Sequence, residues 1–164
     1  MKVLNNKQVD QKISRLTYQI LENNVKVKTL IFLGINKNGF AFAKLIKEKY
    51  DSISDKESVL GKITLNPAEP NDETIHLEVD TKNLNGKNII VVDDVANTGR
   101  TIFYAIKPLL EFLPKKIEAA VLVDRKHKKF PILIDYVGLS LATTLKDNIK
   151  VDIKKENSKA AFLV

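Results

Sequence analysis

Apolar residues at Val9, Ile13, Leu16, Ile20 and Leu21 repeat on one face of a 3.6-residue period, which predicts an amphipathic helix over residues 5–24. Residues 29–33 form a short unbroken apolar run ending at Gly34, and after Gly39 helical spacing returns over residues 40–50. That is strand, loop, helix. Residues 51–88 are richer in acids and turn formers, with strands expected at 62–65 and 75–79 around the proline-containing stretch 67–72. This segment is expected to hold the most mobile loop. Asn85-Gly86 signals a turn, and Ile89, Ile90, Val91 and Val92 follow as four consecutive β-branched residues, the pattern of a strand buried on both faces. A helix over residues 98–112, a strand centred on residues 121–123 within 116–124 and a last strand at 132–137 complete the pattern. Strands alternating with helices predict an α/β fold with a central, mainly parallel sheet flanked by helices, whose ligands sit at the carboxyl ends of the strands.

A length of 164 residues with 44% hydrophobic content fits a single domain spanning 1–164. The absence of cysteine argues against a disulfide framework, a thiolate zinc site or a thiol nucleophile, and fits a reducing cytoplasm. No apolar run reaches the length of a signal-peptide core or a bilayer span, so a soluble, unexported protein with no membrane association is expected. The net charge of +7 is unevenly spread: residues 1–50 carry +7, residues 51–98 carry −6 and residues 99–164 carry +6. Basic flanks around an acidic middle suit an anionic ligand or a nucleic-acid backbone, and equally a lysine-rich solvated surface.

Chemistry concentrates after the buried run. Asp93 and Asp94 emerge where adjacent carboxylates repel and are costly to desolvate, so they call for compensating donors; a ribose cis-diol supplies two, and a nearby divalent ion offsets their charge. Beyond them, Ala96, Asn97, Thr98, Gly99, Arg100 and Thr101 can wrap a phosphate: Gly99 permits close backbone approach, Thr98 and Thr101 carry hydroxyls, and the following helix presents its positive end. A Walker loop is excluded because its Gly-Lys-Thr ending is missing.

The string Val-Val-Asp-Asp-Val-Ala-Asn-Thr-Gly-Arg-Thr at residues 91–101 resembles the phosphoribosyl pyrophosphate (PRPP) motif of type I phosphoribosyltransferases. Leu-Gly-Ile-Asn-Lys-Asn-Gly at 33–39 is similar to the pyrophosphate loop of the PyrR-type pyrimidine-operon attenuators. Residues 121–132 and Asp-Tyr-Val-Gly at 135–138 resemble that family's base-binding hood. The resemblance implies a type I phosphoribosyltransferase fold with a small hood and a flexible loop, and transfer of phosphoribosyl from PRPP to a nucleobase, with uracil giving UMP and pyrophosphate. Because Asp-Tyr-Val-Gly also resembles the base site of purine enzymes, hypoxanthine or guanine is the alternative base, and a catalytically weak or inactive RNA regulator is another reading.

By the same resemblance, Asp93 and Asp94 hold the ribose and act in catalysis, residues 96–101 hold the 5′-phosphate, and the backbone of Ile35, Asn36, Lys37 and Asn38, with a strained peptide, holds pyrophosphate. Asp124, Arg125, Tyr136 and Val137 belong to the base pocket, and Ser14, Arg15, His127 and Lys128 match the family's RNA face. Mg2+ rides on substrate oxygens with no assigned protein ligand, and a homodimer or higher homo-oligomer is implied. The chain departs from the family twice. It has no Tyr-Arg-Asp-Asp after Leu65 and no Lys or Arg between Lys62 and Lys82, and Asn38 stands where arginine is common. Both changes remove positive charge where pyrophosphate leaves, and so bear on turnover more than on PRPP binding.

Overall fold

The computed structural model describes residues 1–71, 75–80, 83–144 and 146–164. Strand β1 (Lys2–Leu4) leads into helix α1 (Asn6–Asn23), which starts at a capping box: the Asn5 side chain accepts from the Gln8 N–H, and the Gln8 side chain accepts from the Asn5 N–H. The predicted stripe of α1 is buried at Val9, Ile13, Leu16 and Ile20. Strand β2 (Thr29–Ile35), helix α2 (Asn36–Ile53), β3 (Glu57–Thr64), β4 (His76–Val79) and β5 (Asn88–Ala96) follow, then α3 (Arg100–Ala105), a 3-10 turn (Lys107–Glu111), β6 (Lys116–Arg125), β7 (Tyr136–Leu141), β8 (Ile149–Asp152) and β9 (Ala160–Leu163).

Six strands form the main sheet in the order β4-β3-β2-β5-β6-β7, parallel throughout except for β4, which pairs antiparallel to β3 at the edge. The mainly parallel α/β sheet expected from the sequence is the one observed. Its centre is the driest part: Ile89, Ile90, Val91 and Val92 of β5 are fully buried, each side chain contributing about 1.5–3 kcal/mol by burial. Helices α1 and α2 cover one face with Leu16, Ile20, Phe42 and Ile46, whereas α3 and the 3-10 turn cover the other with Ile102, Ala105 and Leu109. The chain leaves β2 toward β3 on one side and returns to β5 on the other, so the strand order reverses between β2 and β5. Their carboxyl ends therefore open a crevice at this switch point.

Several elements differ from the sequence expectation. The helix expected over 98–112 ends at Ala105 and continues as a 3-10 turn, because Pro108 supplies no N–H and its ring crowds the preceding turn. The strand expected at 132–137 begins at Tyr136 and runs through Gly138, where a Cβ would lie 2.5 Å from the Leu122 carbonyl oxygen; Ile132 and Ile134 pack on the core from a loop instead. Helix α2 starts at Asn36 and β3 at Glu57, both earlier than expected.

The hood assignment is corrected as well. Residues 121–125 lie in β6 and residues 136–138 in β7, both main-sheet strands. The small separate sheet is β1-β9-β8, built from the two ends of the chain, with Lys2 paired to Phe162 and Ile149 to Leu163. Of the segment expected to be most mobile, residues 72–74 and 81–82 lie outside the described residues.

At the β2–α2 junction the backbone is packed so closely that a side chain has no room: a Cβ on Gly34 would lie 2.3 Å from Phe40 Cα. Gly34→Ala is expected to destabilise the fold by about 1–3 kcal/mol, the usual cost of overpacking. A lowered urea midpoint with unchanged slope is the measurement, and an unchanged midpoint contradicts the packing argument.

Candidate functional site

Strand β5 delivers Asp93 and Asp94 to the crevice. The Asp94 N–H donates to Asp93 Oδ1 at 2.9 Å and the Val95 N–H to Asp94 Oδ1 at 2.9 Å, so each carboxylate is oriented by the peptide just after it. Asp93 is buried, and burial, followed by the neighbouring charge of Asp94, holds its pKa well above the usual carboxylate range. Helix α2 comes down directly beside it: a Cβ on Gly39 would lie 2.7 Å from the Val92 carbonyl oxygen and 3.2 Å from Asp93 Oδ1. Asp94 is half-buried and its Oδ2 accepts from Asn38 Nδ2 at 2.9 Å, so the residue standing in place of arginine ties the start of α2 to the acid pair through a neutral amide.

The loop after β5 is clamped from outside the motif. Gly99 takes a left-handed φ of 83° that favours glycine, and a Cβ there would press on Ile132 at 3.3 Å. The Thr98 carbonyl accepts from the N–H groups of Lys129 (3.0 Å) and Phe130 (3.2 Å). Arg125, buried on β6, donates to Asn97 Oδ1 at 3.1 Å, Thr143 Oγ1 at 2.7 Å and the Thr144 carbonyl at 2.9 Å. Lys128 donates to the Asn97 carbonyl at 3.1 Å and pairs with Asp124. The first-turn N–H groups of α3 have no intrahelical acceptor. Together with the Thr98 and Thr101 hydroxyls they border a compartment of about 480 Å³ that also takes in Asp93, Arg100, Lys129 and Phe130.

A second compartment of about 660 Å³ adjoins the first, sharing Pro67, Asp93, Val95, Asn97 and Thr101 with it. It takes in Ile35, Asn36, Lys37, Asn38 and Asp94, and adds Lys62 from β3, Ile149 from β8 and Lys154 from the segment after β8. Asn36 takes a left-handed φ of 53°, a conformation asparagine tolerates, and its Oδ1 accepts from the Leu65 N–H at 3.0 Å, fixing the end of β3 against it. Arg100 Nη2 donates to the Pro67 carbonyl at 2.7 Å, closing the strip between the compartments. The two compartments offer the carboxylates Asp93 and Asp94, and among the described residues no group of three or more His, Cys, Asp or Glu could hold a metal ion. Two carboxylates beside a polyphosphate fit Mg2+, which keeps water and phosphate oxygens around itself.

The acid pair, residues 96–101 and residues 35–38 are thus brought together, whereas other residues singled out in the sequence are not. Asp124 and Arg125 brace the loop from behind. Tyr136 is buried in the core, its hydroxyl donating to Glu118 Oε2 at 2.9 Å and accepting from Asn23 at 3.2 Å, and Val137 packs on the α3 side; neither borders either of the two compartments. Arg15 donates to the Val137 and Gly138 carbonyls at 2.7 and 2.8 Å, His127 Nε2 lies 2.7 Å from the Thr143 carbonyl oxygen, and Ser14 is half-exposed on α1. Three of the four residues matched to an RNA face therefore have polar groups engaged within the chain. Lys62 and Lys154 were missed as site residues: Lys62 was visible only as the last cation before a gap, and Lys154 reaches the cleft through a sheet that the sequence pattern does not announce.

A mainly parallel sheet with a two-compartment cleft at its switch point, a buried carboxylate common to both compartments, defines an α/β protein of the ligand-binding kind. Residues 2–154 match the phosphoribosyl transferase domain, and the chain belongs to that family, the type I phosphoribosyltransferases. It is 33% identical over 157 residues to the pyrimidine operon regulatory protein of Lactococcus lactis subsp. lactis (strain IL1403), covering 93% of this chain and 89% of that protein. It is 36% identical over 152 residues to the bifunctional protein PyrR of Streptococcus uberis, covering 90% and 86%. In fold it is similar to the hypoxanthine-guanine phosphoribosyltransferase of Bacillus anthracis, with a TM-score of 0.78 at 20% identity over 100% of this chain and 96% of that one. The hypoxanthine phosphoribosyltransferase of Trypanosoma cruzi gives 0.76 at 15% identity over 98% and 95%. No described helix is long and apolar enough to cross a membrane.

Burial raises the pKa of Asp93, so the folded chain keeps a proton at pH values where the unfolded chain has lost it, and stability falls as pH rises through the folded pKa. Asp93→Asn removes that cost. The variant is expected to melt above the parent at pH 7, with the advantage shrinking toward pH 4, while PRPP affinity drops about tenfold or more, equivalent to about 1.4 kcal/mol. Melting curves across that range with a binding titration check both parts; equal melting at pH 7 contradicts the burial argument.

Proposed function

We propose that this chain is a Mg2+-dependent phosphoribosyltransferase that transfers phosphoribosyl from PRPP to uracil, releasing UMP and pyrophosphate. The observation that carries the reading is Asp93 standing in the wall common to both compartments, with the loop 96–101 on one side and residues 35–38 on the other. That order matches PRPP laid across the strand ends: 5′-phosphate in the clamped loop, ribose hydroxyls on Asp93 and Asp94, and pyrophosphate toward α2. In the reaction the C1′–O bond breaks with its electron pair leaving on pyrophosphate, the uracil N1–C1′ bond forms, and the N1 proton passes to solvent or to the departing pyrophosphate.

The residues act by holding and by charge. Arg125 and Lys128 fix Asn97 and so keep the phosphate end of the substrate still, a positioning contribution that a preformed site makes before the displacement begins. Asp93 and Asp94 lie where positive charge develops on the ribose ring and stabilise it in a partly dehydrated setting. Mg2+ bound with the substrate would neutralise the departing pyrophosphate, with Asp93 and Asp94 the side chains placed to hold it.

Incubating the chain with PRPP, Mg2+ and a panel of uracil, hypoxanthine and guanine, with pyrophosphate detection, is expected to give turnover with uracil. Turnover with a purine alone moves the assignment to that base, and silence with every base refutes catalysis. The name of one relative, a pyrimidine operon regulatory protein, supports a second reading, regulation of a pyrimidine operon, which by the resemblance to the attenuator family would work through binding of the leader RNA. Tighter binding to such a leader than to unrelated RNA at physiological salt is its expected signature; equal binding overturns it.

A further inference from the structure

The cleft recovers in three dimensions the positive charge that the sequence lacks along the chain. No Lys or Arg lies between Lys62 and Lys82, and Asn38 brings an amide that is already bonded to Asp94. The larger compartment nevertheless gathers Lys37, Lys62 and Lys154. Lys62 is half-buried on β3, paired in register with Gly34 of β2, and its ammonium lies 5.7 Å from the centre of the Phe40 ring while the residue borders the cleft. Lys154 follows β8 in the small sheet and also borders a neighbouring space of about 350 Å³ with Asn38, Asp94 and Ile149. The ion pairs among the described residues engage Lys47, Lys116, Lys128 and Lys159, so neither Lys62 nor Lys154 is neutralised by a carboxylate there.

We infer that Lys62 on β3 and Lys154 just after β8 clamp the pyrophosphate group of PRPP and take over the task of the missing arginines. The inference rests on the phosphoribosyltransferase reading and names the residues that complete its pyrophosphate end. A diphosphate carries several negative charges in a small volume, and two ammonium groups bordering the same crevice attract it without the planar fork that arginine would bring. Because Lys154 lies in the segment leaving β8 of the small sheet while Lys62 lies on β3 of the main sheet, the ligand itself would tie the two sheets together, and release of pyrophosphate would loosen them. A clamp of this kind grips PRPP and pyrophosphate but has nothing to hold in UMP.

The full chain with Mg2+ should be titrated with PRPP, pyrophosphate and UMP by calorimetry, using K62Q, K154Q, the double variant and K154R, with melting temperatures confirming that each is folded. Each glutamine substitution is expected to weaken PRPP and pyrophosphate roughly tenfold and the double variant roughly a hundredfold, about 1.4 and 2.7 kcal/mol. UMP affinity should stay within about twofold, and K154R should restore most of the loss for PRPP. PRPP binding that is indifferent to both substitutions overturns the clamp alone, as does an equal loss for UMP, which marks a diffuse field rather than a pyrophosphate contact. Failure of the unaltered chain to bind either PRPP or UMP overturns the phosphoribosyltransferase reading and the clamp with it.

Discussion

Everything about this cleft depends on keeping a carboxylate at the end of a strand that is buried on both faces. Asp93 follows four fully buried apolar residues and is itself buried, with Gly39 of α2 pressed against it and the Asp94 N–H its recorded donor. Such a group is held at a cost, since burial and a like charge both disfavour its ionised form. A site tuned this way stores its unfavourable electrostatics until a ligand with hydroxyl donors and positive charge arrives, the pattern expected where function rather than stability has set the residue.

The second constraint is rigidity around the loop 96–101, and it comes from residues remote in sequence. Arg125, Lys128 and the N–H groups of Lys129 and Phe130 converge on Asn97 and Thr98, while Arg125 and His127 reach on to Thr143 and Thr144. A buried guanidinium with three partners holds its loop far more firmly than a surface lysine would. The basic run at the end of β6 therefore reads differently in space than in sequence: Arg125 and Lys128 are turned inward as braces while Lys126 and Lys129 stay exposed, and the segment connecting β7 to β8 is coupled through Arg125 to the proposed phosphate cup.

Much of the fold was legible because its signals are local. The α1 stripe, the continuous apolar runs of β2 and β5 and the helical spacing after Gly39 each state their element within about ten residues, and alternation of strands with helices then leaves few sheet arrangements. The acid pair and the Thr-Gly-Arg-Thr turn were legible for the same reason, being contiguous and directly after a buried strand. Tertiary structure decided what contiguity cannot carry. Strands of three or four residues at Lys2–Leu4, Ile149–Asp152 and Ala160–Leu163 have too little pattern of their own and exist only because the two chain ends pair across the molecule. Tyr136 looked like a pocket residue in sequence, yet its direction along β7 sends the hydroxyl to Glu118 and Asn23. Lys154 looked like one more solvated lysine, and only the placement of the small sheet over the β2–β5 crevice brings it to Asp94. Sequence thus determined which residues could do chemistry; the pairing of distant segments, driven by backbone hydrogen bonding and burial, decided which of them meet.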